Sequence, residues 1–322
     1  MKRKRLYIIL ILLTAGISIA RGQSSHLADQ FLLNRFQTNP ALAGTQDGTL
    51  FTLMARQQWV GLAGAPASQS FSVLSGLRDR TSRYNPRGFL NQGANSFSQV
   101  GLGGGIYNFS YGAINHIGLH FDYAYHIFLG NGRLGMGLSP VYHQFLLNKS
   151  SLILPDGDTP DDAINRKNLE MLHFLDANIG FHYILNNFFA GISAIQLFNS
   201  RVFFGDFSFE SQDQPFNNPY LARTLYAYTG YILEASENLA FEPSILVKHN
   251  SKRGIGGQIN LITYIAGSYQ AGLSWRYRES ASFFIGMQFN NLTFKYLFES
   301  PFGSQITGQL TTHQVLLGYT MD

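Results

Sequence analysis

Hydrophobic and polar positions alternate with a period of two through most of the chain beyond residue 48. Between Ile114 and Phe128 the odd positions are Ile117, Leu119, Phe121, Tyr123, Tyr125 and Ile127. The even ones are His116, Gly118, His120, Asp122, Ala124, His126 and Phe128. Tyr269, Ala271, Leu273, Trp275 and Tyr277 alternate in the same way with Gln270, Gly272, Ser274, Arg276 and Arg278. Successive side chains of a strand point to opposite faces, so the pattern predicts strands with one greasy face and one polar or small face. They are read at 49–60, 67–77, 100–109, 114–128, 133–146, 172–184, 187–197, 221–234, 238–249, 254–264, 268–278, 281–290, 293–299 and 310–320. Many run 10 to 14 residues, the length a tilted strand needs to cross a bilayer and longer than strands of soluble sandwiches. Trp59, Tyr107, Tyr142, Tyr183, Tyr264, Tyr277 and Tyr319 fall near strand ends, as girdles at two membrane interfaces require. The expected fold is an all-β transmembrane antiparallel barrel of about 14 strands, with 12 to 16 compatible.

Connection lengths bear on orientation. With both termini in the periplasm, odd-numbered connections face outward, and the long polar segments 147–171 and 198–220 are odd. Several even connections are short, such as Gly130-Asn131-Gly132, Asn186-Asn187 and Asn290-Asn291, which is the usual barrel asymmetry. The segment 78–99 breaks it, being either a long periplasmic loop or the sign of a mispaired strand. Residues 23–48 carry turn signals in place of alternation. They are expected in the periplasm or folded into the lumen as a plug. Phe128, Tyr226, Tyr228 and Phe284 put bulk on the inward face, which favours a filled interior.

Composition supports the same class. Charged residues are 13% and aromatics 14%, with 33 glycines, while mean hydropathy is −0.03. Past the leader no apolar run reaches the roughly 20 residues of a membrane helix. Lys2-Arg3-Lys4-Arg5, the apolar stretch Leu6 to Ala20 and the small residues Ala20 and Gly22 read as a cleaved signal peptide over 1–22, preceding an N-terminal segment 23–48 and a barrel 49–322. Lys2, Arg3, Lys4 and Arg5 alone supply four positive charges, and the whole chain has a net charge of +4. The processed protein is therefore near neutral, and nothing in its charge calls for nucleic acid. With no cysteine, disulfides, thiolate zinc sites and a lipobox are excluded.

Candidate chemistry is sparse. His116, His120, Asp122 and His126 share a strand face, but positions four apart on a strand are roughly 13 Å apart and cannot share one metal. They read as lumen-facing polar residues, together with Arg276 and Arg278. Asp156, Asp158, Asp161 and Asp162 cluster in a loop without EF-hand spacing, which reads as a solvated acidic loop or a partner contact. Gly101, Gly103, Gly104 and Gly105 lie in a strand with no helix after them, so close packing or a kink explains them better than a phosphate site. No nucleophile elbow is present. No catalytic residue, metal or cofactor is assigned, and the chain is not expected to be an enzyme.

An ordered set of short motifs is more specific. Gln30-Phe31-Leu32-Leu33-Asn34 is followed by Asn39-Pro40-Ala41-Leu42-Ala43-Gly44, then Arg56-Gln57-Gln58-Trp59, Pro243-Ser244-Ile245-Leu246 and Gly272-Leu273-Ser274-Trp275-Arg276-Tyr277-Arg278. The set resembles the PorP/SprF family of the Bacteroidetes type IX secretion system, with Asn39, Pro40, Ala41, Gly44, Arg56 and Trp59 as motif residues. Leu42 stands where the family usually has tyrosine. The resemblance implies an accessory outer-membrane barrel that works with type IX components. Its implied partners are a periplasmic peptidoglycan-binding lipoprotein and a large secreted surface adhesin, with outer-membrane lipid around the barrel. The partner-binding candidates are Asp156 and Asp158 in the first long loop and Phe203, Phe204, Phe207 and Phe209 in the second, because exposed aromatics commonly anchor interfaces. The alternative is a channel or transporter for a small or hydrophobic solute.

Overall fold

The structure, a computed structural model, describes residues 31–46, 48–78, 98–147, 171–200, 221–252, 254–302 and 310–321. The leader, Asp156, Asp158, Phe203, Phe204, Phe207 and Phe209 lie outside the described residues. The strand segments are β1 (Thr49–Gln57), β2 (Ala67–Arg78), β3 (Ser98–Tyr111), β4 (Ile114–Leu129), β5 (Gly132–Leu147), β6 (Met171–Leu185), β7 (Phe188–Ile195) and β8 (Thr224–Tyr231). They continue as β9 (Leu233–Ser236), β10 (Leu239–Asn250), β11 (Gly254–Ile265), β12 (Tyr269–Arg276), β13 (Ser280–Phe289), β14 (Leu292–Pro301) and β15 (Thr312–Met321). Every pairing is antiparallel, and apart from β8 with β10 each joins neighbours in sequence until β1 pairs β15, from Thr49↔Met321 to Gln57↔His313, which closes the ring. β8 and β9 lie end to end against β10, so the barrel has 14 staves.

Proline accounts for the interruption between β8 and β9. Ser244 faces Gly230 and Phe241 faces Leu233, but the ladder lapses between them, at Pro243. Pro243 brings no N–H to that rung. Ile232 bonds instead to Asn187 in the turn before β7, through Ile232 N→Asn187 O (2.9 Å) and Asn187 Nδ2→Ile232 O (2.9 Å). Pro140 leaves a similar gap in the β4–β5 ladder, between His120↔Val141 and Tyr123↔Leu138.

Register fixes the girth. From Gln57 the pairings lead round to Met171 on β6 one way and, carrying the β8–β10 register across the lapse at Pro243, to Leu185 the other, a stagger of fourteen residues. A stagger equal to the stave number implies a tilt of about 35° and a backbone radius of about 13 Å. Such a bore is too wide for wall side chains alone to fill.

Facing follows the alternation. Leu273 is 58% exposed and Ser274 6%; Phe121 is 55% exposed and Asp122 3%. Tyr226, Tyr228 and Phe284 point inward and are buried. Phe128 does not: it keeps the inward phase, but at the rim beside the Gly130–Asn131 turn it is 65% exposed. Tyr107 and Tyr264, expected in the membrane girdles, also face the bore instead, Tyr107 beside His143 and Tyr264 bonded to Glu242. Arg278 is a further correction. β12 ends at Arg276, and Arg278 lies exposed in the following turn with φ +59, its guanidinium 5.2 Å from the Tyr277 ring. The alternation holds to Arg276, and the predicted strand 268–278 overruns the observed one by two residues that lie in a turn.

The end of the barrel carrying the strand termini Thr49 and Met321 also carries the short connections Gly130–Asn131, Asn186–Asn187, Glu237–Asn238, 266–268 and Asn290–Asn291. β2 pairs β3 continuously from Ala67↔Ser110 to Leu77↔Val100, so 79–97 joins neighbouring staves at that same end and no strand is mispaired. The opposite end also has short connections, at 112–113 and 277–279, but it carries both long segments, 147–171 and 198–220; long outside and short inside is the asymmetry of bacterial barrels, which makes this end the periplasmic one.

Candidate functional site

The bore is filled by the described part of the N-terminal segment, residues 31–46. Asn39 precedes a proline, which forces extended backbone on it, and its φ is −152°. Its Oδ1 accepts from Ala41 N (2.9 Å), capping the short turn Pro40–Leu42. Its Nδ2 donates to Phe181 O (3.0 Å) on β6 and Tyr228 OH (3.0 Å) on β8. One side chain thus folds the segment and ties it to the wall.

Strand glycines make the seat. A Cβ on Gly101 would overlap the Ala43 carbonyl, one on Gly137 the Pro40–Ala41 peptide, and one on Gly180 the Asn39 amide. Only glycine lets two backbones approach so closely. Gly44 closes the contact with Gly101 at φ +77, a conformation most side chains avoid. His126 Nε2 bonds Ala43 O at 2.7 Å, and Ser193 Oγ donates to Thr38 O.

The plug is anchored differently on its two flanks. Arg35 forms an ion pair with Glu242, which also accepts from Tyr264 OH at 2.7 Å. The Arg35 guanidinium lies 4.6 Å from the Phe189 ring centroid and 5.3 Å from that of Phe31, within cation–π range. Leu32 and Leu33 pack with Met54, Ile262, Tyr264, Phe284, Leu297 and Leu316 in an apolar cluster. Toward β2–β7 the fit is looser and more polar. A cavity of about 40 Å³ remains among Gln37, Ser70, Tyr107, His120, Asp122, His143 and Asn178, room for about three waters by the usual allowance of 10–15 Å³ each.

The sequence-predicted lumen residues fall in two groups. On one wall His116 Nε2 and Tyr107 OH each lie near His143 Nδ1, at 3.0 and 3.1 Å, and His120 pairs with Asp122 at 2.6 Å. Asp176 completes this wall. Across the bore, nearer the loop end, Arg276 pairs with Glu299 and with Glu279 (3.7 Å), Arg56 with Glu299 (3.2 Å), and Lys248 with Glu279 (3.0 Å). This chain of ion pairs ties β1, β10, β12 and β14 together. Among the described residues no group of three or more His, Asp or Glu is placed to hold a metal.

The family profile described as "Type IX secretion system membrane protein PorP/SprF" matches residues 20–319. The chain belongs to the PorP/SprF family. It is an outer-membrane β-barrel. Among solved structures it is similar to the outer membrane protein Omp33 of Acinetobacter baumannii, at 8% identity over 86% of this chain and 100% of that one, TM-score 0.45. It is also similar to the toluene transporter TodX of Pseudomonas putida, at 9% identity over 92% of this chain and 93% of that one, TM-score 0.47. A third likeness is to the CymD monoaromatic hydrocarbon channel, at 13% identity over 95% of each chain, TM-score 0.45. No curated protein matches the sequence.

In this PorP/SprF chain the motif residues have separate places. Asn39, Pro40, Ala41 and Gly44 form the plug contact, and Arg56 joins the ion-pair chain. Trp59 takes φ +47 in the β1–β2 connection, past the strand end. Sequence reasoning missed Arg35, its pairing with Glu242, and the partnership of Gly101, Gly137 and Gly180 with the plug. A glycine on the inward phase of an otherwise bulky strand was the available signal, but it could not name the backbone that approaches it.

Proposed function

We propose that this barrel is an accessory component of the type IX secretion system that supports secretion or surface anchoring of a partner protein through protein–protein contacts. The observation that carries the reading is the seated segment 31–46, which occupies the bore a channel would need. A filled barrel presents loops and rims as its working surfaces. A surface partner meets 147–171 and 198–220, where Asp156, Asp158, Phe203, Phe204, Phe207 and Phe209 stand. A periplasmic partner, a peptidoglycan-binding lipoprotein by the family's pattern, meets the end carrying 79–97.

Deletion of 203–209 followed by affinity purification from native outer membranes tests this. The expected outcome is loss of the surface partner with barrel assembly and any lipoprotein contact retained. If that deletion changes nothing while trimming 79–97 releases every partner, the working face is periplasmic and the proposed surface contact is wrong.

A further inference from the structure

The lipid-facing wall is not uniformly covered by large side chains. Across β5, β6, β7, β8 and β10 one row reads Leu134, Tyr183, Ala190, Thr229, Ile245, and the row beside it includes Phe181, Ile192, Ala227 and Val247. Ala190, Thr229 and Ala227 leave a notch of about 410 Å³ between the ridge of Phe181 and Tyr183 and that of Ile245 and Val247. The polar side chain of this floor, Thr229, commits its hydroxyl to Phe189 O (3.1 Å). Tyr183, on the rim, gives its hydroxyl to Leu129 O (3.2 Å), and Tyr228 and His182, behind the floor, are engaged with each other, so the notch presents a largely apolar surface on the lipid-facing side of the wall.

We propose that this notch is a site for one acyl chain of a phospholipid from the periplasmic leaflet. Its depth decides the leaflet: Tyr183 is two residues from the end of β6 and Leu134 two from the start of β5, both at the end with short turns. Its shape decides the occupant. A second barrel is a convex wall and bridges a recess between ridges without entering it, whereas a flexible chain follows the recess. Filling it restores the dispersion contacts that Ala190, Ala227 and Thr229 forgo. The floor is also thin: behind it Tyr228 packs on Gly191 and bonds Asn39. The proposal is independent of the accessory-barrel reading.

Native mass spectrometry of the full chain, purified in mild detergent from outer membranes, tests it. Wild-type barrel is expected to retain one phospholipid through detergent exchange. Ala227→Trp fills the notch and should lose that lipid, while Ile259→Trp, elsewhere on the lipid face, should keep it. A second probe avoids filling. Thr229→Cys creates a single thiol in a cysteine-free chain, and it should resist maleimide until the protein is delipidated. Retention of lipid by Ala227→Trp, a wild-type barrel free of phospholipid, a dimer mass, or immediate labelling at position 229 would overturn the proposal.

Discussion

Asn39 shows how much of this molecule hangs on single positions where two chains meet. Its amide caps a turn and bonds two strands at once, and Gly180 leaves the space it needs. Asn39→Ala leaves the Phe181 carbonyl and Tyr228 hydroxyl short of a donor inside the bore, at about 1–3 kcal/mol. Faster proteolysis within 31–46, with the barrel still resistant, is the expected readout. Equal proteolysis of variant and parent would mean that the plug is held elsewhere. Gly101→Val should unseat the plug more severely, because its side chain would overlap the Ala43 carbonyl. On the outer wall, Leu273→Arg places a cation in lipid and should cost about 2–4 kcal/mol near the midplane. Ser274→Ala, one residue along, forfeits the hydrogen bond from Gln258 (2.9 Å) and should cost about 1 kcal/mol. Denaturant titration in lipid vesicles measures both, and equal losses would contradict the facing.

At the scale of elements, the strand pattern was legible because alternation is enforced by two solvents, lipid outside and a polar or packed bore inside. All fourteen predicted segments have their counterpart in the ring. The ends were less legible, as Phe128 and Arg278 show, since period two carries no information about where a tilted strand leaves its neighbours. In the sequence Pro243 stands only as part of a motif, and its effect on pairing is visible only beside Tyr231 and Ile232. Pro243→Ala should restore an N–H to that rung and slow hydrogen exchange around Ile232. Unchanged exchange there would assign the break to the Asn187–Ile232 bonds instead.

For the whole molecule, the sequence left open whether residues 23–48 lie in the periplasm or in the lumen. Only the closed ring, with a stagger wide enough for a bore, shows what 31–46 packs against. Its contacts come from strands far apart in sequence: Glu242, Tyr228, Phe181, His126 and Gly101. No local pattern signals such a set. The central claim is that this segment keeps the barrel shut, so that the protein acts through its surfaces. Planar-bilayer conductance of the purified barrel, beside a variant lacking 31–46, tests it most directly. Little or no steady current from the intact chain, with stable openings in the deletion, is the predicted result. Large stable openings of the intact chain would contradict the account and favour a transport channel.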